Sequence, residues 1–173
     1  MRTILTLGAA VALIAGPALA QAPAPELPDS YAAAGDGISY FNTPNRRHTI
    51  LNGAEPTALG KVTIDLKRPA DVLVQFTSGL ATVSEEGRPC SVRASPKIDD
   101  QPAVVIKRVN LGGRVALAGQ PYQPDRQSAD GSFVFRLPAG RHEATLLVQR
   151  IDGQAKVIQA FYANIQAIAF PRR

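Results

Sequence analysis

Apolar and polar side chains alternate along this chain in short runs that stop at turn residues. Lys61 to Leu66 puts Val62, Ile64 and Leu66 on one side and Lys61, Thr63 and Asp65 on the other, the period of two that marks a strand with one buried face. After the turn Arg68-Pro69-Ala70-Asp71, Val72, Val74 and Phe76 again share a side, so the two runs predict a hairpin. Further strands are expected at Cys90–Ala94, Ala103–Val109, Arg114–Ala118 and Ser132–Leu137, the last with Phe133 and Phe135 on one face. Glu143–Ile151 and Ala155–Ala160 flank Asp152-Gly153-Gln154, a strong hairpin cue. A last run, Asn164–Phe170, brings Ile168 and Phe170 to a common side. No window beyond about ten residues holds the spacing of an amphipathic helix.

Roughly eight to ten short strands at intervals of about 8–12 residues predict an all-β antiparallel sandwich of two layers, each sheet burying one face. The segments Ser84–Pro89 and Gly119–Gly131 are the longest expected loops. Loops at strand ends are where a binding surface is expected.

The first 36 residues do not follow this pattern. Arg2 precedes an apolar stretch from Ile4 to Ile14, interrupted by Thr6, and Ala18 and Ala20 stand before Gln21. That is the order of a secretory signal peptide, with cleavage expected after Ala20. A retained membrane anchor needs about 20 apolar residues, and Pro17 interrupts this run. Residues 1–20 are thus expected to be removed, which leaves no transmembrane span and a periplasmic or secreted protein. Residues 21–36, with Pro23, Pro25 and Pro28, read as an extended Pro/Ala-rich tether, and residues 37–173 as the sandwich domain.

Composition supports this picture. Of 173 residues, 45% are apolar and 19% charged, with one Cys, one Met and no Trp, which excludes a disulfide miniprotein, a disordered chain and a polytopic membrane protein. Fourteen Gly and fourteen Pro suit many turns. Cys90 is expected to be buried, as isolated cysteines usually are. The formal charge is +5, and loss of Arg2 lowers it by one. Such a small excess, outside the cytoplasm, argues against nucleic acid. Arg46-Arg47-His48 and Arg172-Arg173 suit an anionic envelope glycan instead. Tyr40, Phe41 and Tyr122 are the aromatic residues that could stack on a sugar.

The segment Leu137-Pro138-Ala139-Gly140-Arg141-His142, followed by a basic strand, a turn and a closing apolar strand, resembles the C-terminal third of small secreted bacterial β-sandwich proteins. Those are similar to the jelly roll of the tumour-necrosis-factor and C1q-like group. Val72–Phe76 and Cys90 fit the same pattern. The resemblance implies a jelly-roll-like fold and a homo-oligomer, a trimer, and carries no activity with it.

Catalytic and metal chemistry finds little support. His48 and His142 are the only histidines, and with one cysteine they cannot make a zinc cluster. Asp125, Ser128 and Asp130 lack the alternate ligand spacing and the closing glutamate of a calcium loop, where Leu137 stands instead. There is no G-x-S-x-G elbow, phosphate loop or dinucleotide fingerprint, so no cofactor is expected. Asp99-Asp100 and Glu85-Glu86 read as solvated turns, and His142 and Glu143 as opposite faces of one strand. The expectation is an exported, non-catalytic binding or assembly module of the bacterial envelope, whose partner is an anionic glycan or another envelope protein. Its candidate ligand residues are Arg46, Arg47, Tyr122 and His142. The alternatives are a small hydrolase with a loop-built site near His142 and a homotrimeric structural protein.

Overall fold

A computed structural model describes residues 37–43, 48–51, 54–82, 89–112 and 126–172. The expected leader, the tether and the strand Arg114–Ala118 lie outside them. Within the described residues the chain forms nine strands and no helix: β1 (Ile38–Asn42), β2 (His48–Leu51), β3 (Thr57–Leu66), β4 (Ala70–Thr82), β5 (Cys90–Ile98), β6 (Lys107–Leu111), β7 (Arg126–Leu137), β8 (Gly140–Asp152) and β9 (Ile158–Pro171).

The strands build two antiparallel sheets. The larger runs β1-β9-β4-β7, with β2 also paired to β9, and the smaller runs β3-β8-β5-β6. The pairing is nested: β1 and β2 with β9, β3 with β8, β4 with β7, and β5 with β6. The chain therefore resembles one long hairpin folded over on itself, with β9 against β4 and β8 against β5 closing the two sheets. That is the jelly roll, two antiparallel sheets packed face to face with Greek-key connections.

Alternation puts one face of each strand inside. Val72, Val74, Ile165 and Ala167 of the larger sheet meet Val92, Ala94, Leu146 and Val148 of the smaller, all fully buried. Each buried Val, Ile or Leu among them contributes about 1.5–3 kcal/mol relative to exposure. Cys90 is buried among them. Phe133 and Phe135 share a face as expected, their rings edge to face with centroids 4.9 Å apart.

Both expected hairpins are corrected. The turn after Leu66 carries the chain from the smaller sheet to the larger, so β3 pairs with β8 and not with β4. Likewise Asp152-Gly153 leads from β8 in one sheet to β9 in the other. The turn chemistry is as read: Gly153 takes a φ of 78°, and a Cβ there would lie 2.4 Å from the Pro89 carbonyl oxygen. Periodicity reports that a strand has one buried face, and a tight turn reports a reversal. Neither says which layer receives the next strand.

Boundaries shift for local reasons. The expected loop Gly119–Gly131 is strand from Arg126 onward, because β7 is an edge strand whose polar outer face masks alternation around the buried Ala129. The strand expected at Ala103–Val109 starts at Lys107, although Val104 and Ile106 already donate their amides to the carbonyls of Pro96 and Ala94. Asn164–Phe170 and the second half of the expected hairpin join into the single strand β9. A bulge interrupts its pairing with β4 between Thr77 and Gly79, and there Tyr162 has a φ of 53°.

Candidate functional site

Of the four residues singled out in the sequence, Arg46, Arg47 and Tyr122 lie outside the described residues, as do Asp125, Arg173 and the side chain of His48. His142 is described, and the fold uses it. It has the parity of Ala144, Leu146 and Val148 and points inward from the start of β8, with 8% of its surface exposed. Its Nε2–H donates to the Pro138 carbonyl (3.0 Å), and its Nδ1 lies 2.8 Å from Asp99 Oδ2. Asp99 Oδ1 accepts the Glu143 amide (2.8 Å), and the Asp99 amide donates to the Glu143 carbonyl (2.9 Å).

Asp99 sits in the turn after β5 at a φ of 47°, a left-handed conformation that Asp tolerates better than most residues. Burial alone would raise its carboxyl, but the His142 hydrogen bond, the Glu143 amide and the charge of the imidazole outweigh it and hold the group below the usual carboxylate value. Both ring nitrogens of His142 thus face acceptor groups fixed by the fold, the Asp99 carboxylate and the Pro138 carbonyl. Asp99 lies in an exposed turn, as read from sequence, and is at the same time half of a staple joining the β5–β6 turn to β8. Glu143 faces the other way and pairs with Lys61 at 2.9 Å.

The outer face of the larger sheet is built differently. Four strands repeat one triplet at outward positions, apolar then polar then polar: Ile38, Tyr40, Asn42 on β1; Leu73, Gln75, Thr77 on β4; and, antiparallel to them, Ile168, Gln166, Asn164 on β9 and Val134, Ser132, Asp130 on β7. The registers align these triplets into rows. One row crosses the sheet as Ile38, Ile168, Leu73, Val134; the next as Tyr40, Gln166, Gln75, Ser132; the third as Asn42, Asn164, Thr77, Asp130.

The two polar rows are knit together. Asn164 Nδ2 donates to the Tyr40 hydroxyl at 2.6 Å and Asn42 Nδ2 does so at 3.2 Å, while Gln166 Nε2 donates to Gln75 Oε1 at 2.6 Å. Over β9, β4 and β7 the rows border a depression of about 440 Å3, lined by Gln75, Thr77, Asp130, Ser132, Asn164 and Gln166 together with Phe76 and Gly131. That volume falls in the usual range of small-molecule clefts, roughly 300–1,000 Å3. Among the described residues the side-chain carbonyls of Asn42, Asn164 and Gln166, the amide NH2 of Gln75 and the hydroxyls of Thr77 and Ser132 have no protein partner. The ionic group in the lining is Asp130, 3.9 Å from Lys107.

Reading the sequence for titratable clusters missed this face, because it is made of amides and hydroxyls. The available signal was the triplet itself, repeated at a spacing of two on four separated strands. Of the expected stacking residues, Tyr40 stands in the polar row. Phe41 points inward, filling the space that a side chain on Gly60 would take. Among the described residues no three His, Cys, Asp or Glu side chains converge as a metal site requires, and no helix is long and apolar enough to cross a membrane.

No protein-family model matches the chain, and no curated protein matches it in sequence. Solved structures share its shape distantly. A structure of Eiger TNF from S. frugiperda is 12% identical, covering 79% of this chain and 93% of its own, with a TM-score of 0.43. A structure of infectious bursal disease virus, Gt strain, is 9% identical over 75% of this chain and 32% of its own, with a TM-score of 0.41. The VP2 subviral particle of that virus is 10% identical over 76% and 33%, with a TM-score of 0.39. This chain spans about a third of the viral chains. The jelly-roll assignment rests on the strand order, independently of these likenesses.

Proposed function

We propose that the chain is an exported, non-catalytic binding module of the bacterial cell envelope, and that its binding surface is the outer face of the β1-β9-β4-β7 sheet. The supporting observation is the pair of polar rows, in register across four strands, whose side chains are held by one another and still present unpaired donors and acceptors above a depression. Groups so placed cost little to immobilise on binding, since the fold has already ordered them. The compartment follows from the leader sequence. The test is fractionation of the producing cells. The exported form begins at Gln21 by mass spectrometry and is retained by the envelope fraction, and Gln75→Lys with Asn164→Lys releases it. Equal retention of wild type and variant would remove the face from the proposal.

A second reading, self-association, is favoured by the apolar row. Ile38 and Val134 are about half exposed, and Phe170, beside the row and opposite Asp71, is 54% exposed. At one border Asp71 is paired with Arg172 (2.6 Å) and lies 3.8 Å from Arg136. A twofold axis across the row would set aliphatics against aliphatics and the acid of one copy near the guanidinium of the other, an isologous contact. Light scattering on wild type and Val134→Lys decides it: an oligomer that the substitution converts to monomer supports it, and a monomeric wild type rejects it.

A further inference from the structure

With the outer face as the binding surface, the geometry points to a neutral, polyhydroxylated oligosaccharide as the ligand, lying across the strands along the two polar rows. This inference rests on the binding-module reading and narrows it to a chemical class.

Three properties of the rows select that class. The first is the mixture of donors and acceptors. A sugar hydroxyl donates once and accepts twice, and it is matched by a surface that alternates amide carbonyls, an amide NH2, hydroxyls and a carboxylate. Phosphate and sulfate want donors only, and the rows offer as many acceptors as donors. The second is charge. The lining contains one acid, Asp130, whose long contact to Lys107 joins two exposed side chains, so an anionic chain would meet a carboxylate in the lining of the depression. The carboxylate suits a ligand that can donate two adjacent hydroxyls to its two oxygens. The expectation of an anionic glycan, drawn from Arg46 and Arg47, finds no cation among the described residues of this lining to support it.

The third property is shape. Neighbouring strands lie about 4.8 Å apart, so side chains drawn from β1, β9, β4 and β7 form a line of about 14 Å, longer than one sugar ring. The third row is flanked along β9 by the bulge, where Tyr162, 47% exposed, stands two residues from Asn164 with its ring edge to face against Phe161. Bulges commonly re-aim a side chain at such places, and an exposed tyrosine ring gives the C–H face of a pyranose a surface to stack on.

The test is isothermal titration of the protein with linear neutral hexasaccharides of the α-glucan, β-glucan and mannan series, set against a hexagalacturonate and dextran sulfate. One neutral series binds saturably, with an affinity nearly constant between about 0.05 and 0.5 M salt, because no ion pair is screened. Gln75→Ala and Asn164→Ala each weaken it roughly tenfold, the effect of losing one well-placed hydrogen bond, while each variant still unfolds cooperatively. Lys61→Ala, on the smaller sheet, leaves it unchanged. The inference is overturned if only the anionic polymers bind and salt abolishes it, if no neutral series binds, or if both alanine variants bind like wild type. Failure of the class is distinguishable from failure of the module. If the Gln75→Lys and Asn164→Lys pair releases the protein from the envelope while no neutral oligosaccharide binds, the face stands and the ligand class falls.

Discussion

Two polar regions of this sandwich use similar atoms to opposite ends. At the start of β8, at the smaller sheet's end of the sandwich, both ring nitrogens of His142 and both carboxylate oxygens of Asp99 have partners, two of them main chain. On the outer face of the larger sheet, Tyr40, Gln75, Asn164 and Gln166 are also hydrogen-bonded to one another, but each bond uses one end of an amide or one lone pair and leaves the rest to solvent. A titratable pair is thus engaged by the fold, and a set of uncharged side chains keeps hydrogen-bonding capacity open to solvent. The residue type that attracts attention in a sequence is a poor guide to which is which, because what matters is capacity left after folding.

The sharpest way to break that comparison is to remove the imidazole. His142→Ala leaves a cavity at a buried position and strips Asp99 of its partner, so a loss of about 2–4 kcal/mol in unfolding free energy is expected, read from urea denaturation at pH 7. Binding at the outer face is unchanged at temperatures where the variant is folded. A fully stable variant that loses an activity or a ligand would make His142 a working residue and support the hydrolase alternative.

That contrast also explains how much of the molecule could be read in advance. The burial face of a strand is a local property, which is why Val62, Ile64 and Leu66, or Val72, Val74 and Phe76, were legible as inward rows. The partner of a strand is not local: β3 and β4 are adjacent in sequence and lie in different sheets, since the nested pairing is decided by strands as far apart as Ile38 and Ile168. Edge strands read worst, as Arg126–Gly131 shows, because both their polar edge and their solvent face lack apolar marks. The outer-face rows depend on the register of three pairings at once. The repeated triplet was visible, but its alignment was not. Asp99 illustrates the same limit from the other side: its neighbour in sequence, Asp100, shares its chemistry, and only the fold decides which of the two meets an imidazole.

A smaller effect separates the carboxylate from the ring. Asp99 is held below the ordinary carboxylate value in the native state, against about 3.9 when unfolded. A lowered native value means that the unfolded chain takes up the proton first. The stabilisation is therefore complete above about pH 4 and is lost as pH falls through the lowered native value. Asp99→Asn keeps an oxygen for the Glu143 amide and removes the charge, so at pH 7 it should cost about 1 kcal/mol, the difference between a charged and a neutral hydrogen bond. The acid limb carries the decisive information. Between pH 5 and pH 2 the wild-type urea midpoint falls toward that of Asp99→Asn, and the two converge once Asp99 is protonated. Parallel curves across that range would mean that shape and not charge makes the staple, and the pair could then be replaced by uncharged partners like those of the outer face. Lys61 and Glu143, an exposed pair on the opposite face of β8, contribute roughly 0–1 kcal/mol, equally in wild type and Asp99→Asn. Convergence, combined with unaltered oligosaccharide binding in the same variant, would place the ionisable chemistry of this chain in its stability and the neutral chemistry at its surface.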